Sequence, residues 1–351
     1  MINIYIKPRP RYIAPWLRTD LELNGTERKI WEELQGTPAI YHCVSRVVDF
    51  QRIFGATEKE HLANLIRNYA NFAYIKVLAY CVMADHFHVL IEVPEAPEGL
   101  EDWSDDRLFE HIAPLYSEER LNTFREELGE LRANGLEEDA EEYRRRFFRR
   151  IADISRYMHD LKMRFSHWYN STHNRWGTLW AANFRSVLIQ PGHAATLVAA
   201  YIDLNPVRSK LVENPEDYRW CSYGEAVAGS REARQGIMAA VFGPQKEKMA
   251  GHTWEETVAI YRRYLVPDEK SSAQARANGK KMSEAEMIRH RVRHFLDGLV
   301  IGTEDFVEKA FQISRDHFGP RRRTGARKIH DVDTELRALR DLRFNAIIEH
   351  E

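Results

Sequence analysis

Cysteine is scarce in this chain: Cys43, Cys81 and Cys221 are the three among 351 residues, and no two of them have C-x-x-C spacing. An odd number of distant cysteines argues against a disulfide framework or a zinc knuckle and fits a reducing compartment. No apolar run approaches the roughly 20 residues of a membrane span. The first residues also lack the charged and then apolar layout of a secretory signal. We therefore expect a cytoplasmic protein with no membrane partner.

Neither sign of charge dominates, because 51 Lys and Arg residues stand against 53 Asp and Glu residues, for a formal net charge of −2. The charges are nevertheless segregated: residues 96–142 are acidic, whereas arginines crowd residues 144–150. A local basic surface is therefore compatible with the near-neutral total. The length, with 44% hydrophobic and 30% charged residues, indicates a soluble globular protein with large additions to one core or a second domain.

Two histidines, His86 and His88, lie in the stretch YCVMADHFHVLIEVP at residues 80–94. The apolar and β-branched residues of this stretch predict a strand. Residues i and i+2 of a strand point to the same face, so both imidazoles would project from one side of a sheet and Phe87 from the other. Two neutral imidazoles on a rigid strand make half of a divalent-metal site. Simple decoration of a surface by histidine is the alternative.

Hydrophobic patterning predicts a core of four strands and three helices. The strands are expected near residues 39–48, 74–82, 86–93 and 183–190. The helices are expected near residues 57–69, from just after Arg150 to about Tyr169, and near residues 194–204. The connection Met83-Ala84-Asp85 is too short for a crossover, so the strands on either side of it should form an antiparallel hairpin. The element order predicts an α+β, ferredoxin-like sandwich with a central antiparallel sheet of about four strands and helices on one face.

Three additions flank or interrupt this core, which we place at residues 38–224. Residues 1–37 form an N-terminal arm with a short helix near Glu27–Leu34, and residues 96–148 form a helical insertion. Residues 225–351 are expected to be an all-helical extension, with a linker rich in Ser, Ala, Gly and Lys at about residues 269–281. Capping-box sequences predict that helices open at Thr57, Thr253 and Ser283.

A second candidate pair, Tyr201 and Asn205, lies on the last core helix with a spacing of i and i+4, which places both on one face. An Asn oxygen suits a hard cation such as Mg²⁺ or Mn²⁺, and a tyrosine one turn away from a metal-bound phosphate is a possible covalent nucleophile. A tyrosine that packs on the sheet and an asparagine that caps the helix before Pro206 are the alternatives. Spacing alone does not prove that this helix meets the histidine strand.

With these residues identified, the chain resembles the IS200-like, single-tyrosine transposases of the HUH endonuclease superfamily, and in particular the REP-associated tyrosine transposases. The stretches that carry the resemblance are YHCVSR at 41–46, YCVMADHFHVLIEVP at 80–94, LKMRFSHWYN at 161–170, GTLWAANFRSVLI at 177–189, YIDLNPVRSKLV at 201–212 and EDYRWCSY at 216–223. Together they would span the catalytic domain of the family. The turn before the first histidine departs from the family's usual Met-Pro-Asn.

The resemblance implies a metal-dependent endonuclease and strand transferase that acts on single-stranded DNA. His86, His88 and Asn205 match the metal-binding positions of the family, and Tyr201 matches the nucleophile. It further implies a 5′-phosphotyrosine intermediate, a free 3′-hydroxyl, and rejoining without ATP at hairpin, REP-like DNA. The implied cofactor is Mg²⁺ or Mn²⁺, and the implied partner is hairpin DNA bound by a monomer or homodimer.

Basic and aromatic side chains just before the helix that ends near Tyr169, on that helix and in the loop after it are candidates for DNA contact. The candidates are Arg149, Arg150, Arg156, Lys162, Arg164, Arg175, Arg185 and Trp176. A solvated helix face is the alternative for the charged residues, and core packing is the alternative for the aromatic ones. A further basic cluster at 321–328 fits a flexible tail equally well.

Two other functions compete with strand transfer. A domesticated, sequence-specific DNA-binding protein would keep the fold without transposition activity, although the intact set of His86, His88, Tyr201 and Asn205 argues against it. A ferredoxin-like RNA-binding module would have no use for that set. The sequence leaves open the target DNA and whether Tyr201 acts in its own subunit or in a partner subunit.

Overall fold

The computed structural model describes residues 12–17, 22–243, 246–266, 281–340 and 347–348. The predicted linker at about 269–281 lies almost wholly outside these residues. The chain forms two compact units, of which the first comprises residues 1–54, 77–92 and 180–351, and the second residues 55–76 and 93–179. The predicted domain boundaries after residues 37 and 224 stay predictions.

The first unit is built on a seven-stranded sheet. The strands of the described chain are β1 (Ala39–Arg46), β2 (Lys76–Val82), β3 (His86–Val93), β4 (Arg185–Ile189), β5 (Arg291–Val292), β6 (Val300–Gly302), β7 (Arg327–Lys328), β8 (Arg337–Ala338) and β9 (Ile347–Ile348). The order in the sheet is β2-β3-β1-β4-β6-β8-β7, and β5 pairs with β9 separately. The Met83 N–H donates to the His86 carbonyl at 2.8 Å, which closes the short turn between β2 and β3.

Strand β4 is the last of the four predicted strands, and it joins them to three further strands of the sheet. It pairs with β1 in antiparallel register, with Ile189 opposite Ile40, and with β6 in parallel register, with Leu188 opposite Val300. The predictions of about four strands and of an all-helical extension are therefore wrong. Strands of two or three residues are too short to show alternation in the sequence, which is why the extension appeared purely helical. The one-sided helix layer of a ferredoxin-like sandwich stays a prediction.

The helices of the first unit precede β1 or follow β4 in the sequence. They are α1 (Gly25–Leu34), α7 (His193–Asp203), α8 (Asn205–Arg208), α9 (Ser222–Val227), α10 (Arg231–Phe242), α11 (Lys246–Met249), α12 (Trp254–Leu265), α13 (Glu284–Met287), α14 (Arg293–Asp297) and α15 (Glu304–Ile313). Short 3-10 turns of this unit lie at Pro15–Leu17, Val48–Phe50, Pro215–Asp217 and Arg315–His317. Thr253 and Ser283 are N-caps with reciprocal bonds to Glu256 and Glu286, as their sequences predict.

Helix α7 is buried from Ala194 to Asp203, which fits its run of alanines and aliphatic residues. Helix α10 approaches β2 closely at Gly236, where an added Cβ would lie 2.5 Å from the Val77 carbonyl oxygen. A side chain larger than hydrogen therefore has no room at this position. Helix α10 also contacts α7, because the Thr196 hydroxyl donates to the Ala240 carbonyl at 3.0 Å, and α7 lies in the unit that also carries the histidine strand.

The second unit is helical and consists of α2 (Ala56–Phe72), α3 (Asp105–Ile112), a 3-10 turn at Ala113–Leu115, α4 (Glu118–Ala133), α5 (Glu137–Phe148) and α6 (Ile154–Thr172). Helix α2 begins one residue before Thr57, because Glu58 accepts the Gly55 N–H at 2.8 Å and caps the helix there. Helix α6 is the helix predicted to follow Arg150 and to run to about Tyr169, and α5 precedes it within the predicted helical insertion. Ala152 has a φ of 52°, and Asp153 then caps α6 by accepting two backbone N–H groups.

Helix α6 buries an apolar stripe at helical spacing. Its members, Ile154, Tyr157, Met158, Leu161 and Phe165, are all buried. The Tyr157 hydroxyl donates to the Ile66 carbonyl of α2 at 3.1 Å, so the buried face of α6 meets α2.

Each of the three cysteines is buried and is a thiol outside any disulfide bond. An isolated backbone bridge joins Cys81 to Cys221 without a disulfide bond. Among the helices of the described ranges, none has the combination of length and apolar character that a bilayer crossing requires.

Candidate active site

Strand β3 presents two buried histidines on one face. His86 is 9% exposed and His88 is 3% exposed, and their ring centroids are 5.1 Å apart. Phe87, on the opposite face, is fully buried and makes an edge contact with Trp180 at 5.6 Å between centroids. The alternation of the strand thus separates an apolar packing face from a face that carries imidazoles. Surface decoration does not describe these histidines, because both are buried.

His42 of β1, which the sequence analysis did not assign to the site, fixes the tautomer of His88. The His42 Nδ1 lies 2.9 Å from the Phe295 carbonyl oxygen, and the His42 Nε2 lies 2.9 Å from the His88 Nδ1. A carbonyl only accepts, so the His42 Nδ1 carries a proton and donates. Burial lowers the pKa of His42 to about 4, which keeps the ring neutral and leaves its Nε2 as an acceptor. The His88 Nδ1–H must then donate to it, and the His88 Nε2 retains its lone pair.

His86 reaches the same state through a different partner. Its Nδ1 lies 2.6 Å from the Asp85 Oδ1. Burial lowers the pKa of His86, and the hydrogen bond to Asp85 opposes that shift only in part. Burial alone would raise the pKa of Asp85, but its hydrogen bond with His86 and the nearby Arg46 bring it below the usual value. A neutral imidazole that donates from Nδ1 to a carboxylate has a lone pair on Nε2, which is the usual state of a metal-ligating histidine.

Tyr201 of α7 lies against this pair of strands. Its ring centroid is 6.1 Å from that of His88 and 6.1 Å from that of His42. The Phe295 ring meets it edge-on at 5.2 Å. The structure therefore brings the histidine strand and the tyrosine helix together within the first unit, which spacing in the sequence did not establish.

Asn205 follows Tyr201 by one helical turn. The helical backbone continues past the end of α7, because the Leu204 N–H donates to the Ala200 carbonyl at 3.0 Å and the Arg208 N–H donates to the Leu204 carbonyl at 2.9 Å. The Asn205 side chain is 7% exposed, and its amide nitrogen is buried without a hydrogen-bond partner in the described chain. A buried amide is normally fully bonded, so the unpaired Asn205 nitrogen is unusual.

The donors present suit a divalent cation held by two imidazoles and one amide. The Nε2 atoms of His86 and His88 keep their lone pairs, and the amide of Asn205 is not consumed by internal hydrogen bonds. Among the described residues, no three His, Cys, Asp or Glu side chains converge as a metal site. A third ligand would therefore have to come from an amide such as that of Asn205. Such a mixed nitrogen and oxygen set fits Mn²⁺, and it fits Mg²⁺ less well because Mg²⁺ prefers oxygen.

Arg208 is a second residue that the sequence analysis did not assign. Its guanidinium carbon lies 4.0 Å from the centroid of the Tyr201 ring, and its Nη1 donates to the Ile288 carbonyl at 2.7 Å. Its position seven residues after Tyr201, two helical turns on, was the available signal. Phe295 gave no such signal, because more than 200 residues separate it from β1 in the sequence.

Most of the side chains predicted to contact DNA have internal partners. In the second unit, Arg149 pairs with Glu142 at 2.7 Å, Arg150 pairs with Asp160 at 2.6 Å, and Arg164 donates to the Leu115 carbonyl at 2.6 Å. Arg175 donates to the Thr178 carbonyl at 2.9 Å. In the first unit, Arg185 pairs with Asp297 at 2.7 Å. These contacts hold the five arginines within the fold, and their contact with DNA stays a prediction.

The other three candidates differ in exposure. Lys162 is 9% exposed, so the alternative of a solvated helix face does not describe it. Arg156 is exposed, and Trp176 is 93% exposed. A tryptophan as exposed as Trp176 gains nothing from core packing, so core packing does not account for it.

Comparison with known proteins identifies one family. The family model described as "Transposase IS200 like" matches residues 37–98, a segment that contains His42, His86 and His88 and ends before Tyr201. The resemblance to IS200-like transposases that the sequence indicates is confirmed by this match. A solved structure described as a REP-associated tyrosine transposase bound to a REP hairpin is 13% identical in sequence, with a TM-score of 0.36. The matched region covers 55% of this chain and 81% of the chain in that structure. No curated protein matches the chain.

Proposed function

We propose that the protein is a single-stranded DNA endonuclease and strand transferase that uses Tyr201 as its nucleophile and a divalent cation. The observation that carries this proposal is the 6.1 Å separation between the rings of Tyr201 and His88, a histidine that keeps a lone pair on Nε2. The match of residues 37–98 to IS200-like transposases supports it. We propose hairpin-forming, REP-like DNA as the substrate, bound by a monomer or a homodimer in the cytoplasm.

The proposed reaction is an exchange of one phosphodiester for another. The Tyr201 hydroxyl oxygen forms a bond to phosphorus, and the bond from phosphorus to the 3′ oxygen breaks. The phenolic proton passes to solvent, and the departing 3′ oxygen takes up a proton to become a 3′-hydroxyl. The product is a 5′-phosphotyrosine, and attack by a 3′-hydroxyl reverses the exchange without ATP because the number of ester bonds is unchanged.

The residues of the site have separate tasks in this proposal. His86, His88 and Asn205 would hold Mg²⁺ or Mn²⁺, which stabilises charge on a phosphoryl oxygen when it is bound. His42 and Asp85 are positioning residues, because they set the tautomers of the two histidines. Burial of all three imidazoles keeps them uncharged, so they do not repel a cation.

The burial of Tyr201 favours a second candidate function, a domesticated DNA-binding protein without cleavage. The tyrosine is 1% exposed, and Phe295 packs against its ring. A phosphodiester would reach its hydroxyl only after the covering residues move. A protein that binds hairpin DNA and never opens this site would be a binding protein alone.

A covalent-adduct assay separates the two functions. The protein is incubated with Mn²⁺ and a 3′-labelled pool of single-stranded oligonucleotides that contain random-sequence hairpins, and the products are run on a denaturing gel. The 3′ label stays with the 5′-phosphotyrosine fragment, so label should migrate with the protein. Tyr201→Phe and chelation by EDTA should abolish that band.

The control for this assay is Tyr223→Phe. Tyr223 is fully buried in the same unit, and its hydroxyl accepts from Arg262 at 2.9 Å, outside the site. Equal adduct from the wild type and from Tyr201→Phe would contradict the nucleophile assignment. Hairpin binding without an adduct in the wild type would favour the DNA-binding candidate.

A further inference from the structure

The guanidinium of Arg208 is a buried cation beside the proposed nucleophile. It lies over the Tyr201 ring at 4.0 Å. Its Nε and Nη2 atoms are buried, and neither has a hydrogen-bond partner in the described part of the chain. No described acidic side chain forms an ion pair with it. Its electrostatic neighbours include Tyr201, the imidazoles of His42 and His88, and a second arginine, Arg291.

The arrangement of its donors is specific. The Nη1 atom is bound by the Ile288 carbonyl, which tethers the group in one orientation. Nε and Nη2 together form the side edge of the guanidinium plane, where two parallel N–H bonds point the same way and fit two oxygens of one phosphate or carboxylate. The hydrogen bond to the Ile288 carbonyl thus occupies Nη1, and the edge formed by Nε and Nη2 can still donate two hydrogen bonds to one anion.

This unpaired edge has an energetic cost in the structure as it stands. A buried donor left without a partner costs about 1–3 kcal/mol, and more when it carries charge. Among the arginines of the described residues, Arg208 alone has both Nε and Nη2 buried and unpaired. A tether to the Ile288 carbonyl and a contact with an aromatic ring do not require those two donors. An anion would satisfy both.

We propose that Arg208 clamps the phosphodiester that Tyr201 attacks, with Nε and Nη2 each donating to one non-bridging oxygen. The inference rests on the proposed function, because it takes the anion to be the phosphate at the nucleophile. A phosphorus atom within bonding reach of the Tyr201 hydroxyl lies close to a guanidinium packed on the same ring. The clamp orients the phosphate and stabilises the negative charge that grows on its oxygens during attack.

The test compares rates of adduct formation, with the denaturing-gel assay described above. Arg208→Met keeps the volume and removes every donor, and it should slow adduct formation by about 100-fold. Arg208→Lys keeps the charge but loses the fork, and a loss of about tenfold is expected. Affinity for hairpin DNA, measured separately by fluorescence anisotropy, should change by less than about threefold, because one phosphate contact among many is lost.

Arg234→Lys is the matched control. Arg234 also donates to one backbone carbonyl, that of Ala226 at 2.8 Å, and its guanidinium also lies over an aromatic ring, that of Trp254 at 5.2 Å. Arg234 differs from Arg208 in two respects. It lies farther from Tyr201 in the sequence, and its guanidinium packs on the ring of Trp254 and not on that of Tyr201. This variant should form adduct at the wild-type rate.

A second arm uses the substrate and tolerates a loss of stability in the variants. Once the cleaved position is mapped with the wild type, a methylphosphonate is placed there, which replaces one non-bridging oxygen with a methyl group and removes the negative charge of the phosphate. The rate ratio of wild type to Arg208→Met should then fall from about 100 to about 10 or less, because the clamp has less charge to stabilise. An unchanged ratio would mean that Arg208 acts structurally.

The failures are distinguishable. If the wild type forms no adduct, the proposed function is wrong and this inference is wrong with it. If the wild type forms adduct and Arg208→Met forms it at the same rate, only the clamp is wrong.

Discussion

Replacement of His42 is a sharp test of the hydrogen-bond relay that runs from Phe295 through His42 to His88. We expect His42→Phe to weaken binding of Mn²⁺ by about 10- to 100-fold, the usual cost of removing a partner of a metal-ligating histidine. The reason is that the His88 Nδ1–H loses its acceptor at 2.9 Å, so neither the tautomer nor the ring orientation of His88 is fixed any longer.

The stability of the protein should fall as well. The substitution leaves two buried groups unpaired, the His88 Nδ1–H and the Phe295 carbonyl, both of which bond to His42 at 2.9 Å. At about 1–3 kcal/mol for each group, the free energy of unfolding should drop by about 2–6 kcal/mol. The apolar area of the new ring offsets part of this loss.

The assay is a titration of Mn²⁺ followed by electron paramagnetic resonance, which needs no DNA. His42→Gln offers an amide oxygen as a replacement acceptor and should bind Mn²⁺ with an affinity between those of the wild type and His42→Phe. His111→Phe is the control, because the His111 Nε2 also bonds one carbonyl, that of Phe72 at 2.8 Å, in the second unit. It should lose stability and keep its affinity for Mn²⁺. Wild-type affinity in a folded His42→Phe protein would refute the relay.

Three further predictions concern stability and DNA contact. The hydrogen bond to Glu284 raises the pKa of His193, so its contribution to stability is present below the unfolded pKa and is lost as pH rises through the folded one. The free energy of unfolding should therefore fall from about pH 6.5 upward, and His193→Gln should flatten that slope in urea titrations at several pH values. Gly236→Ala should destabilise by about 1–3 kcal/mol through overlap with a backbone carbonyl, whereas Gly129→Ala, with open space around the new methyl, should stabilise by about 0.5–1 kcal/mol; thermal unfolding that ranked the two alike would contradict the packing. Trp176→Ala should weaken binding of a single-stranded oligonucleotide by about 1–3 kcal/mol with an unchanged unfolding midpoint, and equal affinities would remove Trp176 from the DNA surface.

The sequence was informative wherever a feature depends on neighbours along the chain. The strand that carries His86 and His88 was predicted with its observed bounds, because alternation and a short turn are local properties. The helix that carries Tyr201 was placed to within one residue of its ends. The shared face of His86 and His88 follows from the pleat of a single strand.

The parts that the sequence did not yield depend on contacts between distant segments. Strands β6 and β8 have three and two residues, and only pairing with β4 and with each other defines them. His42 lies in a stretch that was recognised, yet its role follows from a hydrogen bond to His88 and one to Phe295. Three of the arginines predicted to contact DNA form ion pairs with carboxylates, as Arg150 does with Asp160, which their charge alone did not indicate. Their contact with DNA stays a prediction.

The most direct test of the central claim is to locate the covalent link itself. The wild-type adduct is trimmed with nuclease and digested with protease, and the peptides are sequenced by tandem mass spectrometry. A nucleotide joined through a 5′-phosphate to Tyr201 is the expected result. A nucleotide on any other residue, or no modified peptide from a protein that binds the hairpin, would contradict the assignment of Tyr201 as the nucleophile.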